Sequence, residues 1–207
     1  DFAQKELAPM AAKLDEDSIF QAMHLPKMAE LGLMGMMVDA NYGGSGLDCL
    51  SYVLALEQIS IACASTAVTM SVNNSLYCGP VEKFGTPAQK EKYITPFATG
   101  QKLGAYCLSE PGTGSDAANQ RTVAVKKGDK YILNGTKNFI TNGPHADAMV
   151  VYAMTDRAKG AKGISCFIVE KTFPGFSVGK IEDKLGIRAS STSEIVLENV
   201  EVPAENL

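Results

Sequence analysis

Apolar positions in the first hundred residues recur at helical spacing. The clearest case is Phe2–Leu14, whose apolar residues fall close to one helical face, at Phe2, Leu7, Met10, Ala11 and Leu14. Further helices are predicted at Phe20–Leu31, Leu50–Ala64 and Ser65–Tyr77. Leu50–Ala64 is apolar nearly all round, which is typical of a central, buried helix.

A fifth helix is predicted from its start signal. Thr86 suits the N-cap, Pro87 the first helical position, and Gln89 stands three residues after the cap. We expect this helix to run to about Thr99 and to stop at Gly100.

After Gly100 the apolar period changes to two. Thr122–Leu133 reads as a hairpin around a Gly-Asp turn. The other predicted strands are Leu103–Ser109, Lys137–Thr141, Met149–Met154, Ile164–Val169, Phe176–Val178 and Glu194–Val200. Short strands at this spacing favour a β-barrel or sandwich. The sequence therefore predicts an α+β multidomain chain, with an all-α domain at 1–100 and a β-domain at 101–207.

Composition narrows the class of protein. Hydrophobic residues make up 45% of the chain and charged residues 20%, which is ordinary for a soluble globular protein. The net charge of -4 argues against nucleic acid or an anionic membrane surface as the main partner. The apolar runs are too short to span a bilayer. Both ends look cut, so a targeting peptide would lie outside this sequence.

The five cysteines have no paired spacing. An odd number of scattered cysteines is typical of free, buried thiols in a reducing compartment. No cluster of histidine and cysteine indicates a metal.

A Gly-rich loop occupies Asp39–Gly46. Such loops can cradle phosphate, but this one lacks the lysine and the spacing of a phosphate-binding loop. We interpret it as a structural turn.

The stretch Leu103–Asp116 carries the most chemical information, because a predicted strand ends there in a loop with two glycines, a proline and two serines. Glycines let the backbone approach a ligand and present its N–H groups. Ser109 and Ser115 add hydroxyls. Taken alone, the stretch is equally consistent with a decorated turn.

A second stretch, Leu133–Gly143, contains Phe139 and Thr141 on one face of a strand. An aromatic ring beside a hydroxyl suits a flat heteroaromatic ligand. Without context, a core phenylalanine and a surface threonine are the better explanation of the pair.

Together these segments resemble the acyl-CoA dehydrogenase family. Tyr106–Asp116 is similar to its first signature, Asn134–Asn142 to its flavin-stacking strand, and Lys184–Thr192 to the end of its β-domain. The resemblance covers the whole chain in order. Within the family, Cys63–Leu76 is most similar to the short-chain, butyryl-CoA type.

The resemblance implies a bound FAD and assigns roles in the first signature. The backbone of Tyr106, Leu108 and Ser109 should meet the flavin ring edge. Gly114 and Ser115 should lie near the FAD pyrophosphate, and Ser115 also near the CoA part of the substrate.

On the flavin-stacking strand, Phe139, Ile140 and Thr141 should pack on the isoalloxazine. Many family members have tryptophan where Phe139 stands, and the smaller ring stacks less area.

The implied reaction is α,β-dehydrogenation of a short-chain acyl-CoA thioester to the trans-2-enoyl-CoA in fatty-acid β-oxidation. Electrons would pass to electron-transfer flavoprotein. The family places its catalytic Glu in a C-terminal helical-bundle domain, beyond residue 207, so Glu57, Glu110 and Glu194 are poor candidates. Glu110 is better explained by capping or loop hydrogen bonding. The chain alone should therefore be inactive.

The family also implies a homotetramer, in the mitochondrial matrix of a eukaryote or the cytoplasm of a bacterium. Two other functions remain open. One is an acyl-CoA oxidase or flavin-dependent monooxygenase of the same fold. The other is a non-catalytic, truncated module that binds CoA esters or flavin. The hypothesis requires the first signature and the aromatic strand to lie side by side, with a surface free for the ring.

Overall fold

The computed structural model describes all 207 residues, which group into two compact units. The helical unit comprises Asp1–Gly104 and Asp183–Ser191, and the β unit comprises Ala105–Glu182 and Thr192–Leu207. Segment 183–191 packs with helical residues: the Arg188 N–H donates to Asp15 Oδ1 at 2.6 Å. The division at residue 100 stays a prediction.

The helical unit contains seven α-helices, and a long connection at residues 31–48 separates the second from the third. They are α1 Ala8–Glu16, α2 Leu25–Glu30, α3 Cys49–Ala62, α4 Ala64–Ser71, α5 Gly79–Phe84, α6 Pro87–Tyr93 and α7 Thr95–Ala98. A π-helical turn precedes α1 at Ala3–Leu7, and another follows α4 at Val72–Cys78. None of these helices is both long enough and apolar enough to cross a membrane.

The helix start predicted at Thr86 is confirmed, with Thr86 as the N-cap of α6. The Thr86 hydroxyl accepts from the Gln89 N–H at 3.2 Å, and Gln89 Oε1 accepts from the Thr86 N–H at 2.8 Å. The helix is not continuous to Thr99, however, because Pro96 follows at the start of α7 and cannot donate a backbone hydrogen bond. Gly100, at φ 70°, ends the segment.

Helix α3 is not buried all round, so the prediction of a central, buried helix is wrong for this chain. Its buried residues are Tyr52 and Ile59, whereas Leu50 is 67% exposed and Ile61 68% exposed. The helical unit supplies packing partners for one face of α3 only.

Two adjacent buried asparagines stabilise the irregular chain around Leu33–Met36. Asn73 donates to the carbonyl of Met34 at 2.8 Å, and Asn74 donates to that of Leu33 at 2.8 Å. Asn74 also accepts from the Met36 N–H at 2.7 Å. Side-chain amides thus satisfy backbone groups that no helix or sheet would satisfy.

The Gly-rich loop at Asp39–Gly46 behaves as a structural turn. Asp39 accepts from the Asn41 N–H at 2.8 Å, and Gly43 has φ 79°. A Cβ on Gly44 would lie 2.0 Å from the carbonyl oxygen of Val38. Close packing within the loop therefore accounts for its glycines.

The β unit is one seven-stranded sheet. Its strands are β1 Gly104–Cys107, β2 Val123–Lys127, β3 Lys130–Thr141, β4 Ala148–Met154, β5 Ile164–Glu170, β6 Phe176–Ile181 and β7 Thr192–Pro203. The order is β1-β4-β2-β3-β7-β6, with β5 paired to β4. The hairpin predicted at Thr122–Leu133 is present, and Gly128 provides its positive φ of 66°.

A single hydrophobic cluster collects side chains from strands at both ends of this order, including Cys107 on β1, Phe167 on β5 and Leu197 on β7. One face of one sheet can form such a cluster only if the sheet curls around it. The predicted β-domain is confirmed in the form of a curled sheet.

All five cysteines are free. Cys63, Cys78 and Cys107 are buried, Cys166 is half-buried and Cys49 is exposed. Burial raises the pKa of the Cys107 thiol to about 12, so this thiol is protonated at neutral pH.

Strand β3 is continuous over Lys130–Thr141, whereas the sequence pattern predicts one strand that ends at Leu133 and another that begins at Lys137. It pairs with β7 along its whole length, with register shifts between Leu133 and Gly135 and between Lys137 and Ile140. Within the second irregularity, Phe139 adopts φ 58°. Positive φ is unfavourable for an aromatic residue by about 1–2 kcal/mol, so the fold holds Phe139 in a strained conformation.

We expect Phe139→Asn to leave the free energy of unfolding unchanged or to raise it by up to about 1 kcal/mol, because asparagine tolerates positive φ. Ile140→Ala, at the neighbouring core position, should lower it by about 2–5 kcal/mol. Urea unfolding of dialysed protein measures both. A large loss of stability in Phe139→Asn would show that the exposed ring supports the fold.

Candidate functional site

The two informative segments of the sequence lie side by side. The backbone N–H of Asn138, on β3, donates to the Ser109 carbonyl at 2.8 Å. The Lys137 ammonium donates to the Leu108 carbonyl at 3.1 Å. The loop that follows β1 is therefore joined to the aromatic end of β3 by two hydrogen bonds from consecutive residues.

The loop after β1 closes on itself. The Glu110 N–H donates to the Thr113 carbonyl at 2.9 Å, and the Thr113 N–H donates back at 3.1 Å. Gly114 and Ser115 follow directly and are exposed. A Cβ built on Gly114 would meet no atom within 4 Å, so this backbone is open to a ligand.

The three residues of β3 that were predicted to pack on the flavin ring lie on two faces of the strand. Phe139 is 64% exposed and Thr141 is half-buried, whereas Ile140 is 2% exposed and belongs to the core cluster. Strand alternation directs the Ile140 side chain inward, so the packing of Ile140 on the isoalloxazine stays a prediction that concerns its backbone. Phe139 and Thr141 share the outer face.

Tyr106 lies on β1 and is half-buried. Its ring contacts that of Tyr152 edge to face, with centroids 5.3 Å apart and an angle of 62° between the planes. The ring is therefore engaged by the protein. Any contact of Tyr106 with a ring edge would come from its backbone, as the resemblance implies.

A buried ion pair lies beneath this surface, and the sequence analysis did not identify it. Lys137 Nζ is 2.9 Å from Glu110 Oε1, and the two side chains are 0% and 4% exposed. The other Lys137 donors reach Leu108 and Gln120 Oε1, the latter at 3.0 Å. The position of Lys137 within a predicted strand was the feature of the sequence that could have indicated a buried charge.

Glu110 acts through hydrogen bonds within the loop, as expected from the sequence. It accepts from the Arg121 N–H at 2.6 Å and from the Thr122 N–H at 3.0 Å, in addition to Lys137. Burial alone raises the pKa of Glu110, but these hydrogen bonds outweigh it and hold the pKa below its usual value. The carboxylate is therefore saturated and a weak base.

The other two carboxylates considered from the sequence are no better placed. Glu57 is exposed on α3, in the helical unit. Glu194 is half-buried on β7 and accepts from the Lys180 N–H at 3.3 Å. The site thus offers binding groups for a flat aromatic ligand and for phosphate, but no general base of its own.

Comparison with known proteins agrees with this arrangement. The family model for the acyl-CoA dehydrogenase N-terminal domain matches residues 1–101, and the model for the middle domain of the same family matches 105–200. The short-chain specific acyl-CoA dehydrogenase of mouse mitochondria is 55% identical over the whole chain, which covers 50% of that protein. Its counterpart in Clostridium acetobutylicum is 51% identical, with 55% covered.

Solved structures give the same result. The chain superposes on butyryl-CoA dehydrogenase from Megasphaera elsdenii with a TM-score of 0.95 at 47% identity, covering 100% of this chain and 55% of that one. A chain from the structure of the electron transferring flavoprotein of Acidaminococcus fermentans gives 0.97 at 51% identity, covering 100% and 54%. Acyl-CoA dehydrogenase complexed with FAD from Bacillus anthracis gives 0.91 at 40%, covering 100% and 35%.

The chain spans about half the length of the curated relatives it matches. Both family models nevertheless match in order and together extend over nearly every residue. The chain therefore belongs to the acyl-CoA dehydrogenase family, of which it carries the N-terminal and middle domains.

Proposed function

We propose that the protein containing this chain is an FAD-dependent dehydrogenase that converts short-chain acyl-CoA thioesters to trans-2-enoyl-CoA. The observation that supports this most directly is Phe139. Its ring is 64% exposed on a strained backbone, next to the loop that follows β1. Strained, exposed aromatic residues are characteristic of ligand sites.

The residues of the β unit fit the cofactor. Phe139 offers an aromatic face for the isoalloxazine, and Thr141 offers a hydroxyl on the same side of β3. Leu108 and Ser109 supply backbone groups for the ring edge. Gly114 and Ser115 are exposed and unobstructed, as a pyrophosphate requires of the backbone that approaches it.

FAD, when bound, supplies the acceptor for the hydride that leaves the β-carbon of the substrate. This chain's own residues bind and orient the ring. The α-proton must go to a base, and Glu110 is saturated by hydrogen bonds with a lowered pKa. We therefore place the catalytic Glu in the part of the protein outside residues 1–207.

The substrate and partners follow from the relatives. Identity of 55% to a short-chain specific enzyme supports a short acyl chain, with Ser115 near the CoA moiety. The similarity to a chain from an electron transferring flavoprotein structure supports electron-transfer flavoprotein as the acceptor. A role in fatty-acid β-oxidation and assembly as a homotetramer complete the proposal. The compartment would be the mitochondrial matrix or the bacterial cytoplasm.

The first test uses the purified full-length protein. It should show flavin absorbance, and anaerobic butyryl-CoA should bleach this absorbance faster than a long-chain acyl-CoA does. Residues 1–207 expressed alone should give no turnover, because the proposed base is missing. Absence of flavin would contradict the proposal, and rapid oxygen consumption with butyryl-CoA would indicate an oxidase.

The second test concerns the aromatic ring on β3. Phe139→Ala should weaken FAD binding by up to about tenfold, since stacking of one ring contributes about 0.5–1.5 kcal/mol. Phe139→Trp should bind FAD at least as tightly as the unmodified protein. Titration of flavin fluorescence measures both variants.

Phe84→Ala serves as the control for the second test, because Phe84 is also highly exposed but lies on α5 in the helical unit. It should leave FAD affinity unchanged. Equal affinity in Phe139→Ala and Phe84→Ala would remove Phe139 from the flavin site.

A further inference from the structure

The buried ammonium of Lys137 has three hydrogen-bond partners, two in the loop after β1 and one in the segment that leads into β2. They are the Leu108 carbonyl at 3.1 Å, Glu110 Oε1 at 2.9 Å and Gln120 Oε1 at 3.0 Å. A lysine ammonium has three protons, so every donor is used. The side chain is 0% exposed, and no solvent competes for these bonds.

The carboxylate of Glu110 extends the same network. Through the N–H groups of Arg121 and Thr122 it ties the loop after β1 to the segment that leads into β2. Removal of one member of a buried charged pair leaves the other uncompensated. The loop, β3 and the segment before β2 are therefore held in one arrangement.

The orientation of one peptide group in the loop follows from this network. The structure has no cis peptide bond, so the Leu108 carbonyl and the Ser109 N–H point in opposite directions. The carbonyl accepts from the buried ammonium of Lys137. The Ser109 N–H must therefore point away from the buried pair.

The other backbone groups near this peptide are already engaged. The Ser109 carbonyl accepts from the Asn138 N–H, and the Glu110 N–H donates to the Thr113 carbonyl. The Ser109 N–H has no hydrogen-bond partner within the protein, and Ser109 is half-buried. An unpaired donor in a fixed direction is a binding group for an external acceptor.

We propose that Lys137 is a positioning residue that, together with Glu110, holds the Leu108–Ser109 peptide so that the Ser109 N–H donates to a carbonyl or nitrogen at the edge of the isoalloxazine. This inference rests on the proposed function. Lys137 touches neither substrate nor cofactor and acts through the Leu108 carbonyl. A fixed donor at the ring edge favours the electron-rich, reduced flavin. The ion pair thus influences the redox potential of the flavin as well as its affinity.

The decisive variant is the double substitution Lys137→Met with Glu110→Gln in the full-length protein. It removes both charges together, so no unpaired charge stays buried, while the Leu108 carbonyl loses its charged donor. We expect FAD to bind about tenfold more weakly, as loss of one well-aligned hydrogen bond predicts. The midpoint potential of the bound flavin should become more negative.

Glu110→Gln alone distinguishes an effect of the orientation of the Leu108–Ser109 peptide from an effect of the charge on Glu110. Lys137 can still donate to the Leu108 carbonyl in this variant, so the flavin potential should move less than in the double variant. Each single variant leaves one charge of the buried pair uncompensated, Lys137 in Glu110→Gln and Glu110 in Lys137→Met, so both should in addition lower the thermal stability.

Lys130→Met is the matched control, because Lys130 also lies on β3 and forms an ion pair, with Glu201, that is exposed. It should change neither FAD affinity nor potential. A double variant with the affinity and potential of the unmodified protein would overturn this inference while leaving the proposed function intact. Failure of the unmodified protein to bind FAD would instead overturn the proposed function.

Discussion

The β unit buries a lysine ammonium completely, and the local structure around the site follows from the need to compensate that charge. Burial lowers the pKa of Lys137, while the charge of Glu110 opposes this effect. Loss of one partner from such a pair costs about 3–5 kcal/mol. Three chain segments consequently converge on Lys137 and Glu110, and the loop after β1 is fixed against β3.

The outer surface above this buried pair is the part of the β unit that the proposed function assigns to a ligand. Phe139 is exposed with a positive φ, no atom lies within 4 Å of a Cβ built on Gly114, and Ser115 is exposed. Ile140, between Phe139 and Thr141, anchors the strand in the core. A rigid strand beneath a strained, exposed ring combines precise placement with a free binding face. In this short stretch of β3, one face of the strand therefore packs in the core, while the other face is accessible to a ligand.

In the proposed function this chain contributes the binding of the cofactor and does not contribute the catalytic base. Of the carboxylates considered, Glu110 already accepts three hydrogen bonds, and Glu57 belongs to the helical unit. The apolar face of α3 is exposed as well, with Leu50 and Ile61 each more than half accessible. Both facts agree with a chain that spans about half the length of its relatives. The proposed function therefore divides catalysis between the proposed flavin site of the β unit and residues elsewhere in the protein.

The sequence by itself determined the order of helices and strands, the capping box at Thr86 and the family membership, because periodicity, cap residues and motif spacing are local properties. It misjudged α3, since burial depends on which partners the rest of the chain supplies. It also split β3 at Asn134–Thr136, since the register shifts within the strand are revealed only by its pairing with β7. The pairing of Lys137 with Glu110 was decided by tertiary structure alone, because a contact between residues so far apart in sequence requires the sheet to bring them together.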